Sequence, residues 1–343
     1  MIYIVLEEEK REKIEKLYWE WLKKNKFSNL NKIKKIIDGD EYFQELIISS
    51  RINGSTDKIT YDDIKEFLLS DYEALKGIRK KIKEKDKQDK AIVSDEERKV
   101  EDKGEGIDNE KKDITKKIQS MYNTFRKEQA GTIVQEIGIK VCPYCNQNYI
   151  RSVQYKQKNK NKKVNFQGDI DHFFPKSEYP YLALCLYNMI PSCKICNTLK
   201  RNEEENIEYP YILDGKDKES FIRFTTTFDN TGNLDYIRGN SLNFEIKIEG
   251  KSAEIHDVFQ LEARYQMLKE EARDIIRKSQ AYHARYLEEL KACWERAGIT
   301  EEELKESIFG YSKDHLTKPL SKFNFDIMNE FTEHLDKRGK GSY

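Results

Sequence analysis

Between Ile14 and Leu22 the apolar residues Ile14, Leu17, Tyr18, Trp21 and Leu22 recur every three or four positions, the period of one helical face. The stretch TYDDIKEFLLSDYEALKGI, from Thr60 to Ile78, repeats that rhythm. It turns Ile64, Phe67, Leu68, Leu75 and Ile78 inward and offers Thr60 as an N-cap, so 1–82 is expected to be a helical region. From Lys83 to Lys112 the period dissolves into dense mixed charge with few apolar residues; 83–112 is either a charged linker or a solvated helix, and the linker is the favoured reading. Helical periodicity resumes near Ile114 and carries the chain to Cys142, opening a central region, 113–210. Beyond it, FIRFTTTF and LNFEIKIEG read as strands of a small sheet or hairpin. Val258, Leu261, Tyr265, Leu268, Ala272, Ile275, Tyr282, Tyr286 and Leu290 then mark one face of a long helix or bent helical pair that Gly298 ends. Thr300 and Glu303 have the spacing of a capping box and start another helix, so 211–343 is short strands followed by helices. The class is α+β, mainly helical.

Composition limits what this pattern can be. The 343 residues are 36% charged and 37% hydrophobic, with 20 Tyr and 16 Phe, enough apolar surface for real cores. Sixty-two basic residues balance sixty-two acidic ones, so net charge identifies no partner. The opening MIYIVLEEEK is too short for a signal-peptide core and no run approaches a membrane span, so a cytoplasmic protein without membrane contact is expected. In a reducing compartment clustered cysteines point to metal before disulfide.

Four of the six cysteines form two C-x-x-C pairs, Cys142/Cys145 and Cys193/Cys196, separated by 47 residues. Each pair sets two thiolates about one tetrahedral edge apart, and two pairs complete a closed zinc site that holds structure and activates no water. Two unrelated pairs of buried or redox-active thiols are the bland alternative. Cys185 and Cys293 stand alone in apolar helical contexts and read as small core residues.

Between and just after the pairs lie, in order, DIDH at Asp169–His172, NMIPS from Asn188, and CNTLK from Cys196. This ordered set, spanning 59 residues from Cys142 to Lys200, resembles the HNH endonucleases, the ββα-metal nucleases, in their subgroup with four zinc-binding cysteines. The resemblance implies a small zinc-stapled ββα-metal core inside a mainly helical protein. It implies His172 as general base, Asp171 and Asn197 as ligands of a catalytic Mg²⁺ or Mn²⁺, and Asn188 as the asparagine that pins the intervening loop. Asn197 stands where histidine is frequent, and its amide oxygen suits a hard cation. The wording of CPYCNQNYI and DHFFPKS is also similar to HNH proteins of bacterial antiviral defence, which often work with an ATPase partner.

The chemistry can be stated without the family. A neutral imidazole can take the proton of an attacking water. A divalent cation held by a carboxylate and an amide oxygen keeps positions for phosphate oxygens and relieves their charge. One geometric condition applies. On a regular strand Asp169 and Asp171 share a face and His172 points the other way, so Asp171 and His172 share a pocket only if the strand ends or bulges there. Taken singly, an Asp–His pair is an ordinary hydrogen-bonded pair, Asn188 a turn residue and Asn197 an N-cap. His256, His283, His315 and His334 read as surface residues. Three functions remain open on these residues: a DNA endonuclease, an RNase on the same fold, and a non-catalytic zinc-stabilised module binding nucleic acid or protein.

Local charge favours a polyanion. From Val141 to Arg201 there are ten basic and three acidic residues, a local excess of +7 in a neutral protein. Lys156, Lys158, Lys160, Lys162, Lys163, Lys176, Lys200 and Arg201 are the candidate phosphate contacts. Between Arg151 and Lys163 there are six basic residues and no acid. Replacing Lys156, Lys158, Lys160, Lys162 and Lys163 by Gln should flatten the dependence of log K on log salt for duplex DNA by at most about 4.5 units. A salt titration of binding measures this, and an unchanged slope would make the run a solvated loop.

Overall fold

The amphipathic stripe near the N-terminus becomes a 31-residue helix, α1 (Glu8–Asp38), in a computed structural model. The structure describes residues 1–51, 58–96, 104–156, 162–215, 222–228, 235–250, 258–282, 286, 291 and 293–339. For 25–28, 90–96, 104–112, 162–163 and 333–339 this covers the backbone alone. Ile14, Tyr18, Trp21, Leu22, Leu30, Ile33 and Ile37 of α1 are buried, and Leu17 packs at their edge. Helix α2 (Glu41–Ser50) follows, capped by Asp40, whose carboxylate accepts from the Phe43 amide.

The second predicted helix is two. Thr60 and Asp63 close a capping box on α3 (Tyr61–Leu68). Asp71 then accepts from the Ala74 amide at 2.9 Å and starts α4 (Tyr72–Glu96), because an aspartate there satisfies an orphan N–H better by restarting the helix than by continuing it. Ile64, Phe67, Leu68, Leu75 and Ile78 are all buried as the periodicity requires.

The charged linker expected over 83–112 is helix wherever it is described. Helix α4 runs on to Glu96 and α5 (Gly104–Glu128) begins eight residues later. Lys and Glu are good helix formers, and opposite charges four apart pair along one side, as in Lys80–Glu84 and Lys85–Asp89. Dense mixed charge therefore solvates this helix without breaking it. Lys158 and Lys160 of the basic run, with His256 and His283, lie outside the described residues.

Helix α6 (Ala130–Ile137) stops at Gly138, whose φ of +86° costs glycine nothing. The described strands form four two-stranded sheets. A short parallel pair joins β1 (Ile4–Val5) to β6 (Tyr211–Ile212). An antiparallel hairpin joins β2 (Arg151–Lys156) to β3 (Lys162–Gln167). The central ladder pairs β4 (Asp169–His172) with β5 (Met189–Ser192), and α7 (Lys194–Lys200) follows at once. The two predicted C-terminal strands pair as β7 (Ile222–Thr227) and β8 (Glu245–Gly250).

The long C-terminal periodicity is broken into α8 (Leu261–Gln266) and α9 (Lys269–Ala281), with Leu261, Tyr265, Ala272 and Ile275 buried. Thr300 and Glu303 cap α10 (Glu301–Phe309), and α11 (Ser321–Gly339) closes against β7. Cys185 is a core residue as expected, whereas Cys293 is exposed.

Tyrosine hydroxyls fasten this frame to the loop between β4 and β5. Tyr18 donates to the Leu184 carbonyl at 2.6 Å, Tyr209 to Tyr187 at 2.8 Å and Tyr211 to Met189 at 3.0 Å. The hairpin is seated more tightly. A Cβ at Gly131 of α6 would lie 2.9 Å from the Val164 carbonyl oxygen, so only glycine lets β3 approach the helix. Gly131→Leu should overpack this contact and cost about 1–3 kcal/mol. Urea unfolding measures the loss, and unchanged stability would mean that the hairpin does not rest on α6.

Candidate functional site

Two tight turns bring the cysteines together. After α6, Val141 bridges Tyr149, and the Asn146 amide returns to the Cys142 carbonyl at 2.8 Å. Asn146 itself sits at φ +51°, a conformation asparagine tolerates. Its side chain donates to the His315 carbonyl at 2.6 Å and accepts from the Lys322 amide at 3.0 Å, pinning the C-terminal segment to this turn. Cys193 is the N-cap of α7 and accepts from the Cys196 amide at 3.4 Å. All four cysteines are buried, and their sulfurs lie within 4.8 Å of one another.

These distances suit zinc. With Zn–S near 2.3 Å a tetrahedral edge is about 3.8 Å, and Cys145 and Cys193 Sγ are 3.9 Å apart. Donors surround the sulfurs as they do thiolates: Gln147 N–H and Asn148 Nδ2 on Cys145, Asn148 Nδ2 on Cys193, and Arg264 Nη1 on Cys196. The thiols pull one another apart: hydrogen bonds, from Cys142 first, hold Cys145 well below its ordinary range and Cys193 at about 7, while Cys142, by burial first, and Cys196 are pushed up. The quartet is positioned to bind a metal such as zinc.

Strand β4 leaves this cluster in regular register: Asp169 faces Ser192, Ile170 Pro191, Asp171 Ile190 and His172 Met189. The strand does not bulge, so its two carboxylates share one face and His172 takes the other. Helix α7 covers the carboxylate face with residues one turn apart. Asn197 Nδ2 donates to Asp169 Oδ2 at 3.3 Å, and Lys200 Nζ lies 3.4 Å from Asp171 Oδ2. Asp171 also accepts from the Tyr144 hydroxyl at 2.7 Å. Burial pushes its carboxyl up, against Lys200 and Tyr144, which pull it down. The partner of Asn197 is therefore Asp169, and the expected pairing of Asp171 with Asn197 is not formed.

Lys200 departs from expectation too. Its side chain is 0% exposed. The ammonium donates to the His172 and Phe173 carbonyls at 2.9 and 3.1 Å, so it braces the end of β4 and cannot touch a phosphate. Asn188 is fully buried and acts as a staple: its Oδ1 accepts from the Phe174 amide, and its Nδ2 donates to the Phe174 and Leu182 carbonyls. His315, expected on the surface, is half-buried, with Nδ1 2.9 Å from Ser321 Oγ; burial, with Lys322 nearby, holds its imidazole down at about 4.

His172 is only 5% exposed. Its Nε2–H donates to the Ala183 carbonyl at 2.9 Å, which leaves the lone pair on Nδ1. Burial, with Lys176 and Lys200 nearby, drops its pKa to about 3, so the ring is neutral at pH 7. Tyr122 of α5 lies against the imidazole at 4.7 Å, Lys176 sits over the Tyr122 ring at 4.4 Å, and Arg126 pairs with Asp169 at 3.1 Å. Tyr122, Arg126 and Tyr144 join the site without a sequence signal for that role. Asp169 carries one, its i, i+2 relation to Asp171.

No protein-family model matches this chain, and no curated protein or solved structure matches it either. No described helix is long and apolar enough to cross a membrane. Purified protein should carry one tightly held zinc per chain, and Cys193→Ser should lose it together with the fold of the central region. Elemental analysis tests this; well-folded protein free of zinc would overturn it.

Proposed function

We propose that the chain is a metal-dependent nuclease of the HNH type, hydrolysing phosphodiester bonds of DNA. One observation carries this reading. A strand, a strand and a helix that follow each other in the chain set a neutral imidazole, two carboxylates and an asparagine amide around one short ladder, beside a quartet of cysteines.

Each residue then has a task. Strand β4 ends at His172, so a phosphate held at Asp169 that reaches round the strand end would bring its attacking water to His172 Nδ1 on the other face. That nitrogen accepts the proton, and the Ala183 carbonyl keeps the other ring nitrogen protonated. Asp169 Oδ2 and the Asn197 amide, 3.3 Å apart, would hold the divalent cation once the amide turns its oxygen inward. When bound, that cation supplies charge relief to the phosphate and the leaving oxygen. Asp171, neutralised by Lys200, supports the ladder from below. Arg126, paired with Asp169, and Lys176, over the Tyr122 ring that lies on His172, offer positive charge to that phosphate. Tyr122 must leave the face of His172 before a substrate can reach it.

That covering favours a second reading, a zinc-stabilised binding module without catalysis, in which His172 is only a core residue. The two separate cleanly. As a nuclease, the His172→Ala variant should lose about 10²–10⁴-fold in single-turnover cleavage while keeping its zinc and its affinity for nucleic acid. Wild-type cleavage by His172→Ala would leave the imidazole without a catalytic role.

A further inference from the structure

The β2–β3 hairpin has two unlike faces. One packs inward through its β3 residues: Val164 meets Gly131 of α6 and Phe166 joins the core, opposite the half-buried Ser152, while Gln154 beside Val164 is exposed. The other carries Arg151, Val153 and Tyr155, opposite Gln167, Asn165 and Lys163, and Tyr149 continues the row by the same parity. Tyr149, Val153 and Tyr155 are 48%, 37% and 37% exposed. Asn165 and Gln167 are exposed as well, so no element of the described chain covers this face.

Its chemistry is specific. The Arg151 guanidinium lies 3.6 Å from the centre of the Tyr149 ring, making one flat, positively charged surface. At about 3.3 Å per residue, Tyr155 stands roughly 20 Å further along the strand. The hairpin, from Asn146 to Gly168, contains no acidic residue. Its β3 strand leads through Gly168 directly into Asp169 of the central ladder, and Arg126 donates to the Gly168 carbonyl at 3.1 Å. A strand lying along the hairpin is thereby led to the site.

We propose that this open face is a stacking platform for single-stranded nucleic acid, gripping unpaired bases on Tyr149 and Tyr155 and the backbone on the basic residues around them. A duplex keeps its base faces stacked on one another and offers only phosphates, for which exposed tyrosine rings serve no purpose. A single strand offers both a polyanionic backbone and free π-faces, and basic grooves lined with aromatics are how such strands are held. The inference rests on the nucleic-acid function proposed above and refines it: the segment next to the scissile bond is unpaired.

The test uses the full chain without added divalent cation, so that binding is read apart from cleavage. A fluorescent single strand and the duplex of the same sequence are titrated against wild type, Tyr149→Ala/Tyr155→Ala and Tyr149→Phe/Tyr155→Phe, each checked for wild-type thermal melting. The alanine pair should weaken single-strand binding at least about tenfold and duplex binding less than about threefold. The phenylalanine pair should bind as wild type, since stacking needs the ring and not the hydroxyl. Both pairs should leave the salt slope unchanged. Equal losses on single strand and duplex, no loss at all, or a loss retained in the phenylalanine pair would each overturn the platform; no loss at all would leave the face to a protein partner. If wild type binds neither nucleic acid, the underlying function falls and the platform with it.

Discussion

Four sulfurs within 4.8 Å of one another hold this molecule's working part in place. They join turns 48 residues apart in sequence, Cys145 to Cys193, and other segments converge on the same point. Tyr265 donates to the Cys145 carbonyl at 2.7 Å, Arg264 reaches Cys196, and Asn146 binds the backbone of His315 and Lys322. A structural zinc contributes roughly 10–16 kcal/mol of apparent binding energy, against a net domain stability of about 5–15 kcal/mol. By that comparison a metal filling the quartet would weigh as much as the net stability of the whole region.

From that anchor the geometry follows by parity. A four-residue strand without a bulge must send Asp169 and Asp171 one way and His172 the other. Helix α7, starting from Cys193, places Asn197 and Lys200 one turn apart to meet the two carboxylates. Lys200 is the hinge of the arrangement, since its ammonium also fixes the carbonyls of His172 and Phe173 and so orients the strand end. Breaking one partner of a buried ion pair typically costs about 3–5 kcal/mol, so this lysine is structural despite its place in a basic stretch. On the opposite face α5 lays Tyr122 on the imidazole, with Lys176 above that ring.

Much of this was legible in the chain. The C-x-x-C pairs, the Thr60 and Thr300 caps and the β7 and β8 strands are local signals, set by residues a few positions apart, and local signals survive folding. The failures are of another kind. Over Lys83–Lys112 hydrophobic periodicity favours the linker over the solvated helix, whereas helix propensity and i, i+4 charge pairs make it helix where it is described. Lys200 read as a phosphate contact because burial of a lysine depends on Asp171, His172 and Phe173, which lie 27 to 29 residues away. The resemblance puts Asp171 beside Asn197 from its place in the motif, whereas strand parity and the first turn of α7 bring Asp169 to Asn197. The parallel β1–β6 pair joins residues about two hundred positions apart, and two-residue strands leave no pattern to read.

The proposed activity of the ladder beside the cysteine quartet, cleavage of phosphodiester bonds with a divalent cation, can be measured directly. The most direct measurement incubates the purified chain with single-stranded DNA, supercoiled plasmid, linear duplex and RNA in Mg²⁺, Mn²⁺ or EDTA and follows the strands by electrophoresis. The account predicts cleavage of DNA that requires Mg²⁺ or Mn²⁺ and stops in EDTA while the structural zinc stays bound. DNA left intact with either cation, or cut equally well in EDTA, would contradict it.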